Sequence, residues 1–474
     1  MAGPKSGARE TWRERRAAKR AERAARPDNR LALPDEALLA EHHAAGMNVI
    51  IQVSWLYEHD IDVDALRRFH HHLGQGLLGR RIERPAVSVA RHRWVVDRGQ
   101  TELDIADTVR PRADLSDWID ERSQVFVNPE SGPCWHIGVQ PLDDGSTAIS
   151  LVLSHNLIDG LGLALVIIEA ALGKTRDLGY PPPMSRTKWR ARGQDARATA
   201  RDLPKVAKAL GTSIKLGRQQ AREKKAETAP APPLPVVAQN GPDEIVLVPA
   251  ITAYVNLDDW DACAQARGGA SHTLAAAFSA KLGERAGRRR ADTGAVTLQI
   301  PISDRTEDDT RAMALSYARV TVDPAPLTTD LTDIRAAVKK TLKDLKEKPD
   351  VAKELLWLPS FAPERTLKKM VERMPADPEQ SVFCSYLGDL HSIIGCPAGS
   401  AAEYENARGT GQRESRQLLD RLGGRMMILS GRINGKIFLS IGAYQPGAEN
   451  TKQALREMTT QTLSDFGLTA VAIH

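Results

Sequence analysis

The pattern of apolar and polar positions is sharpest over residues 149–173, ISLVLSHNLIDGLGLALVIIEAALG. Ile149, Leu151, Val152 and Leu153 read as a buried strand. Residues 160–172 are apolar nearly all round and too long for a strand, which predicts a buried helix. Upstream, 48–58 predicts a core strand, and 62–73 a helix with Leu66, Phe69 and Leu73 on one face. A strand-like stretch at 87–96, a helix at 115–127 and a strand ending at Val139 follow. Asp143-Asp144-Gly145 turns that strand back, as a hairpin, into the strand at 149. In the second half the pattern predicts strands at 244–257, 295–301 and 382–388. It predicts helices at 271–285, 329–347, 364–374 and 450–466. Asn434-Gly435, between apolar runs at 426–430 and 436–441, is the strongest hairpin signal in the chain.

A polar joint, Ser154-His155-Asn156-Leu157-Ile158-Asp159-Gly160, interrupts the central strand–helix unit. Such breaks in an otherwise consistent pattern mark sites. A neutral imidazole is a base near pH 7, and burial at a strand end fixes its tautomer. Asp159, four residues after His155, falls at the helix start, where a carboxylate caps backbone N–H groups. A buried cation is then needed to hold its charge. Gly160 and Gly162 permit tight turning or close helix–strand approach. The structural alternative is a satisfied core histidine followed by an aspartate cap.

The joint has the form His-x-x-x-Asp-Gly, and on it the chain resembles the CoA-dependent acyltransferase superfamily. That superfamily holds chloramphenicol acetyltransferase, plant acyl-CoA-dependent acyltransferases, peptide-synthetase condensation domains and bacterial wax ester synthase/diacylglycerol acyltransferases. Ile300-Pro301-Ile302-Ser303-Asp304-Arg305 is similar to the Val-Pro-Val-Ser-x-Arg of the wax ester synthases. Residues 382–388, VFCSYLG, resemble a Ser-Asn-x-Gly strand end, with Tyr386 for Asn. Pro133-Cys134-Trp135 partly matches a Pro-Leu-Trp. Two departures stand out: Ser154 replaces a second histidine, and Ser271-His272 replaces an Asn-Asp pair.

The resemblance implies an α/β fold of two acetyltransferase-like sandwich halves, related by a pseudo-two-fold axis, with a channel between them. It implies His155 as general base at mid-channel and Asp159 as a structural residue beside Gly160. Arg80 or Arg81 is the expected partner of Asp159, and the residues do not choose between them. Ser154, Asn156, Ser303, Arg305 and Ser385 are expected along the substrate channel. The implied reaction moves an acyl group from a CoA thioester to a long-chain alcohol or diacylglycerol. The alternatives are a condensation-type enzyme fed by a separate carrier protein, with an amine or hydroxyl acceptor, and a non-catalytic scaffold. No cofactor beyond acyl-CoA as substrate, and no metal, is implied.

Charge divides the chain further. Residues 1–30 hold ten Lys/Arg against four Asp/Glu, and 186–225 hold thirteen against three. Since the whole is only +5, the remaining body is acidic. This suggests a basic tail at 1–28, expected to be disordered, and a first half at 29–180. A crossover follows at 181–243, then a second half at 244–474. Within the crossover, Leu203, Val206, Leu210 and Ile214 fall on one helical stripe beside many basic residues, before a Pro-rich linker at 229–235. Such a helix suits an anionic membrane or lipid droplet surface.

Other chemistries fit poorly. The basic segments carry no folded nucleic-acid recognition motif, so no nucleic-acid partner is expected. His70, His71 and His72 are consecutive and point in different directions around a helix, against a metal site. There is no G-x-S-x-G elbow, and Gly173-Lys174-Thr175 lacks the first P-loop glycine. The four cysteines lie far apart and read as reduced thiols, and no apolar run reaches about 18 residues. These features suggest a cytoplasmic protein, peripheral to a membrane at most.

Overall fold

A computed structural model of the chain describes residues 28–97, 102–226, 244–347, 355–373 and 376–474. The basic tail, Asp28 apart, and the Pro-rich linker lie outside these residues. The first half runs α1 (Leu33–Ala45), β1 (Asn48–Tyr57), α2 (Val63–Leu73), β2 (Arg80–Glu83), β3 (Arg93–Val96), β4 (Asp104–Ile105) and α3 (Leu115–Gln124). It continues through β5 (Trp135–Pro141), β6 (Thr147–Ser154), α4 (Gly160–Ala171) and α5 (Lys188–Ala226). The expected strand at 87–96 shortens to β3, which pairs with β2 and bridges Arg30 through Arg93.

The second half begins with β7 (Ile245–Val246), β8 (Ala250–Asn256), α6 (Leu257–Ala266), α7 (Ser271–Arg285), β9 (Val296–Ser303) and β10 (Leu315–Val322). It continues with α8 (Thr332–Glu347), α9 (Glu364–Glu372), β11 (Val382–Asp389), β12 (Tyr404–Gln412), β13 (Glu414–Ser415) and α10 (Arg416–Arg421). It ends with β14 (Arg425–Ile433), β15 (Lys436–Tyr444), α11 (Lys452–Asp465) and β16 (Ala472–Ile473). β10, β12, α6 and α10 were not predicted.

Two sheets build two lobes. The first has the order β12-β1-β6-β5-β4, the second β10-β9-β11-β14-β15-β8-β16. In the first lobe, Ile51, Val53, Trp55 and Tyr57 of β1 share one core with Leu66, Phe69 and Leu73 of α2. Leu163, Val166 and Ile167 of α4 complete it. In the second lobe, Leu274, Phe278 and Leu282 of α7 pack with Leu298, Val382, Ile428 and Leu439 of the sheet. The β14–β15 turn places Asn434 at φ 47° and Gly435 at φ 74°. Two successive positive φ values match the right-handed twist of the strands, and glycine or asparagine adopts them most readily.

β12 joins the lobes. It leaves the second half and becomes the edge strand of the first sheet, antiparallel to β1 from Asn48↔Gln412 to Leu56↔Tyr404. A boundary that assigns all of 244–474 to the second half therefore divides the sequence but not the sheets. Its buried residues on one face are polar: Asn406, Arg408, Thr410 and Gln412. Each of the long ones is satisfied. Arg408 Nε donates to Gln52 Oε1 at 2.7 Å, and its guanidinium pairs with Asp120 at 2.7 Å.

α5 packs on the first lobe through Ala191, Asp195, Asp202 and Ala209. Asp195 accepts from Arg186 at 2.7 Å and Asp202 from Arg30 at 3.4 Å. Most of the apolar stripe does not face the body: Leu203, Leu210 and Ile214 are about half exposed, while Val206 is half-buried.

Candidate active site

β6 ends at Ser154 and α4 starts at Gly160, so residues 155–159 form the loop between them. The His155 N–H donates to Val49 O at 2.9 Å, which extends the β1–β6 pairing into the loop. Asp159 is the N-cap of α4, its Oδ1 accepting from the Gly162 N–H at 2.8 Å. The same carboxylate takes both Arg305 Nε at 3.0 Å and Nη2 at 2.7 Å, and its Oδ2 accepts from the Ala314 N–H at 2.9 Å. Both side chains are buried, at 0% and 3% exposure. A bidentate pair with every remaining lone pair satisfied is the geometry in which a buried charge survives.

Arg305 comes from the loop after β9, so this pair fastens the first lobe to the second. Neither Arg80 nor Arg81 is the partner, and Arg305 is not a channel residue. The reason is a close approach. A Cβ at Gly162 would lie 2.9 Å from Arg305 Cζ, so the missing side chain makes room for the guanidinium. Arg80 instead lies buried over the Trp94 ring, 3.8 Å from its centroid. It donates to Leu157 O at 2.8 Å and to Thr310 O at 2.5 Å, bracing the motif loop against the Arg305 loop. Asp35 of α1 clamps the same loop by accepting from the Ala312 and Met313 N–H groups at 3.0 and 2.8 Å. Its burial pushes its pKa up to about 6. Arg81 points away from the motif, into a surface pocket with Glu83, Arg84 and Glu130.

His155 is partly exposed and opens into a cavity of about 460 Å³ between the lobes. Apolar groups dominate the walls: Ile51 and Val53 of β1, Leu163 and Ile167 of α4, Met427 and Leu429 of β14, and Ile433 and Phe438. Of the expected channel residues, Ser303 and Ser385 line it. Ser154 and Asn156 are buried behind the wall, hydrogen-bonded to each other. Gly160 faces the cavity, where a Cβ would meet only Leu387 at 3.5 Å. His42, Glu41, Tyr317 and Glu405 also line it, and the sequence reading missed all four. Glu405 is buried, its pKa pushed up to about 7 by burial, and its Oε1 accepts from Asn434 Nδ2 at 2.5 Å.

The His155 ring is held neutral mainly by burial, opposed by its own backbone carbonyl and by the Asp159 charge. Its Nδ1 is buried and meets hydrogen-bond geometry with no neighbour, so the carbonyl contact is a weak one. With Nδ1 buried, Nε2 is the ring nitrogen left to act as the base. The three histidines of α2 diverge as their spacing requires: His70 packs on Trp135, while His72 Nδ1 meets Ala170 O at 3.1 Å.

No family model and no curated protein matches the sequence. Solved structures do. The first condensation domain of the CDA synthetase superposes with a TM-score of 0.52 at 13% identity, covering 94% of this chain and 99% of that one. Polyketide synthase associated protein 5 from Mycobacterium tuberculosis gives 0.50 at 15%, covering 92% and 98%. The chain has the condensation-domain fold. The wax ester synthase/diacylglycerol acyltransferase from Marinobacter aquaeolei VT8 shares this fold, at a TM-score of 0.50 and 13% identity over 92% and 98% of the two chains. The condensation-domain fold is thus the two-lobed fold of the CoA-dependent acyltransferases that the His155 motif resembles.

Proposed function

We propose that this chain is an acyltransferase that moves an acyl group from a thioester to a hydroxyl acceptor, with His155 as general base. The observation that carries the reading is a neutral imidazole opening onto an apolar cavity between two lobes of condensation-domain fold. The acceptor O–H gives its proton to His155 Nε2 as its oxygen bonds to the thioester carbonyl carbon. The tetrahedral intermediate then breaks its C–S bond, and the proton on His155 passes to the leaving thiolate. No bond to the protein forms. The apolar walls suit a long alkyl chain on the donor or the acceptor.

We take the donor to be a CoA thioester and the acceptor a long-chain alcohol or diacylglycerol, on the likeness of 300–305 to the wax ester synthases. The test offers one acyl group on CoA and on a phosphopantetheinylated carrier, with dodecanol or a diacylglycerol as acceptor. Ester from acyl-CoA is expected; turnover with the carrier alone assigns the chain to carrier-dependent condensation instead.

The pH profile follows from the ring. Because His155 has a pKa below its ordinary 6.5, kcat/KM should be level at pH 7 and above. It should fall only on the acid side, below pH 6.5, as the base is protonated. A midpoint above pH 7 contradicts a desolvated base.

We infer also that α5 rests on an anionic lipid surface. Leu203, Leu210 and Ile214 stand exposed, with Lys205, Lys208, Lys215 and Arg218 on the same helix. Each basic residue near such a surface adds about 1 kcal/mol. Flotation with anionic liposomes should carry the protein upward at low salt and less at high salt. Absence of binding at both salts rules this out.

A further inference from the structure

The oxyanion of the tetrahedral intermediate needs a donor, and the structure supplies one from α1. A chain of hydrogen bonds behind the cavity wall leads from β12 to the His42 ring. Gln412 Nε2 donates to Ser123 O and Val125 O, both at 2.8 Å, so its Oε1 is left to accept. That oxygen accepts from Asn48 Nδ2 at 3.0 Å, whose other hydrogen goes to Val127 O at 2.8 Å. Asn48 therefore meets Ser154 through Oδ1, which accepts the Ser154 hydroxyl at 3.4 Å. With its proton engaged, Ser154 Oγ accepts from the N–H and Nδ2 of Asn156 at 3.4 and 3.5 Å. The second hydrogen of Asn156 Nδ2 then points to His42 Nδ1 at 2.9 Å. With the Asn156 amide in this orientation, which leaves its Oδ1 buried without a partner, Nδ1 accepts and the ring proton sits on Nε2.

His42 lines the same cavity as His155. The two rings are near enough that charge on His155 disfavours charge on His42. Nε2 has no hydrogen-bond partner among the described residues, and His42 is part of the cavity wall. His42 is 6% exposed, and burial pushes its pKa down to about 3. It therefore stays neutral wherever His155 works as a base. A neutral imidazole N–H held in a desolvated site polarises a carbonyl without giving up its proton.

We propose that His42 is a second catalytic residue, whose Nε2–H donates to the acyl carbonyl oxygen as that oxygen becomes the oxyanion. The proposal rests on the acyl-transfer reading of the cavity. Asn156 acts through His42 as a positioning residue, and the chain back to Gln412 makes β12 part of the same device.

The test compares His42→Leu with His42→Gln, since a glutamine amide places an N–H near the Nε2 position. With decanoyl-CoA and dodecanol, His42→Leu should lose about 10²–10³ in kcat with KM little changed. His42→Gln should recover most of it, and both variants should melt near wild type. Equal losses in the two variants, or full activity in His42→Leu, overturn the proposal. A second readout needs no turnover. Bound decanoyl-CoA carrying a ¹³C carbonyl, without acceptor, should show a red-shifted C=O stretch in wild type and His42→Gln and an unshifted one in His42→Leu. An unshifted carbonyl in wild type overturns the contact. A shifted carbonyl without turnover leaves the contact standing and removes the acyl-transfer reading instead.

Discussion

Replacing His155 with alanine should lower kcat by about 10²–10⁴ and leave the fold nearly intact. The magnitude is that of a positioned general base. The fold is spared because the imidazole carries little of the packing. Its Nδ1 has no partner at hydrogen-bond geometry, and its backbone bond to Val49 O is independent of the side chain. Removing a desolvated ring also leaves no charge behind, since the ring is neutral at working pH. Assays at matched protein melting temperature read the two effects apart. A His155→Ala enzyme with full turnover makes His155 a wall residue.

Asp159→Ala should fail in the opposite way, by losing stability first. It strands the Arg305 guanidinium at 3% exposure with only carbonyl partners, and an unpaired buried charge costs about 3–5 kcal/mol. Loss of the α4 cap adds about 1 kcal/mol. Because the pair spans the lobes, the same substitution should loosen the cavity and reduce activity at temperatures where the protein is still folded. Denaturant unfolding of Asp159→Ala and Arg305→Ala measures this. The double variant should be less destabilised than the sum of the singles, since one partner without the other is the worst state. Wild-type stability of Asp159→Ala excludes a buried pair.

The strand–loop–helix unit at 149–173 was legible because periodicity and cap chemistry agree there, and the Asn434-Gly435 hairpin because its φ values admit few other residues. β12 was not. Its buried residues Asn406, Arg408, Thr410 and Gln412 are polar, and Arg408 and Gln412 are satisfied by residues nearly 300 or more positions away. Its other face carries Ala407, Gly409 and Gly411, so no apolar alternation exists to find. β10 could have been found, since Ala318, Val320 and Val322 alternate with exposed Arg319 and Thr321. The partner of Asp159 lies in the 300–305 motif, but its role there is not legible from the sequence. Arg305 lies 146 residues downstream, and only the three-dimensional approach to Gly162 shows that it points at the carboxylate and not along the channel. His42 carried no signal, because beside His43 on α1 it gains its meaning only from a hydrogen-bond chain that starts on β12.

Direct transfer at His155 is tested most closely by a single turnover. Enzyme in excess is loaded with acyl-CoA labelled in the acyl group, mixed with dodecanol, and quenched at intervals. All label should pass from thioester to ester in wild type with none on the denatured protein, and in His155→Ala the same step should be slower by about 10²–10⁴. Label covalently held by the protein, or an unchanged rate in His155→Ala, contradicts the account.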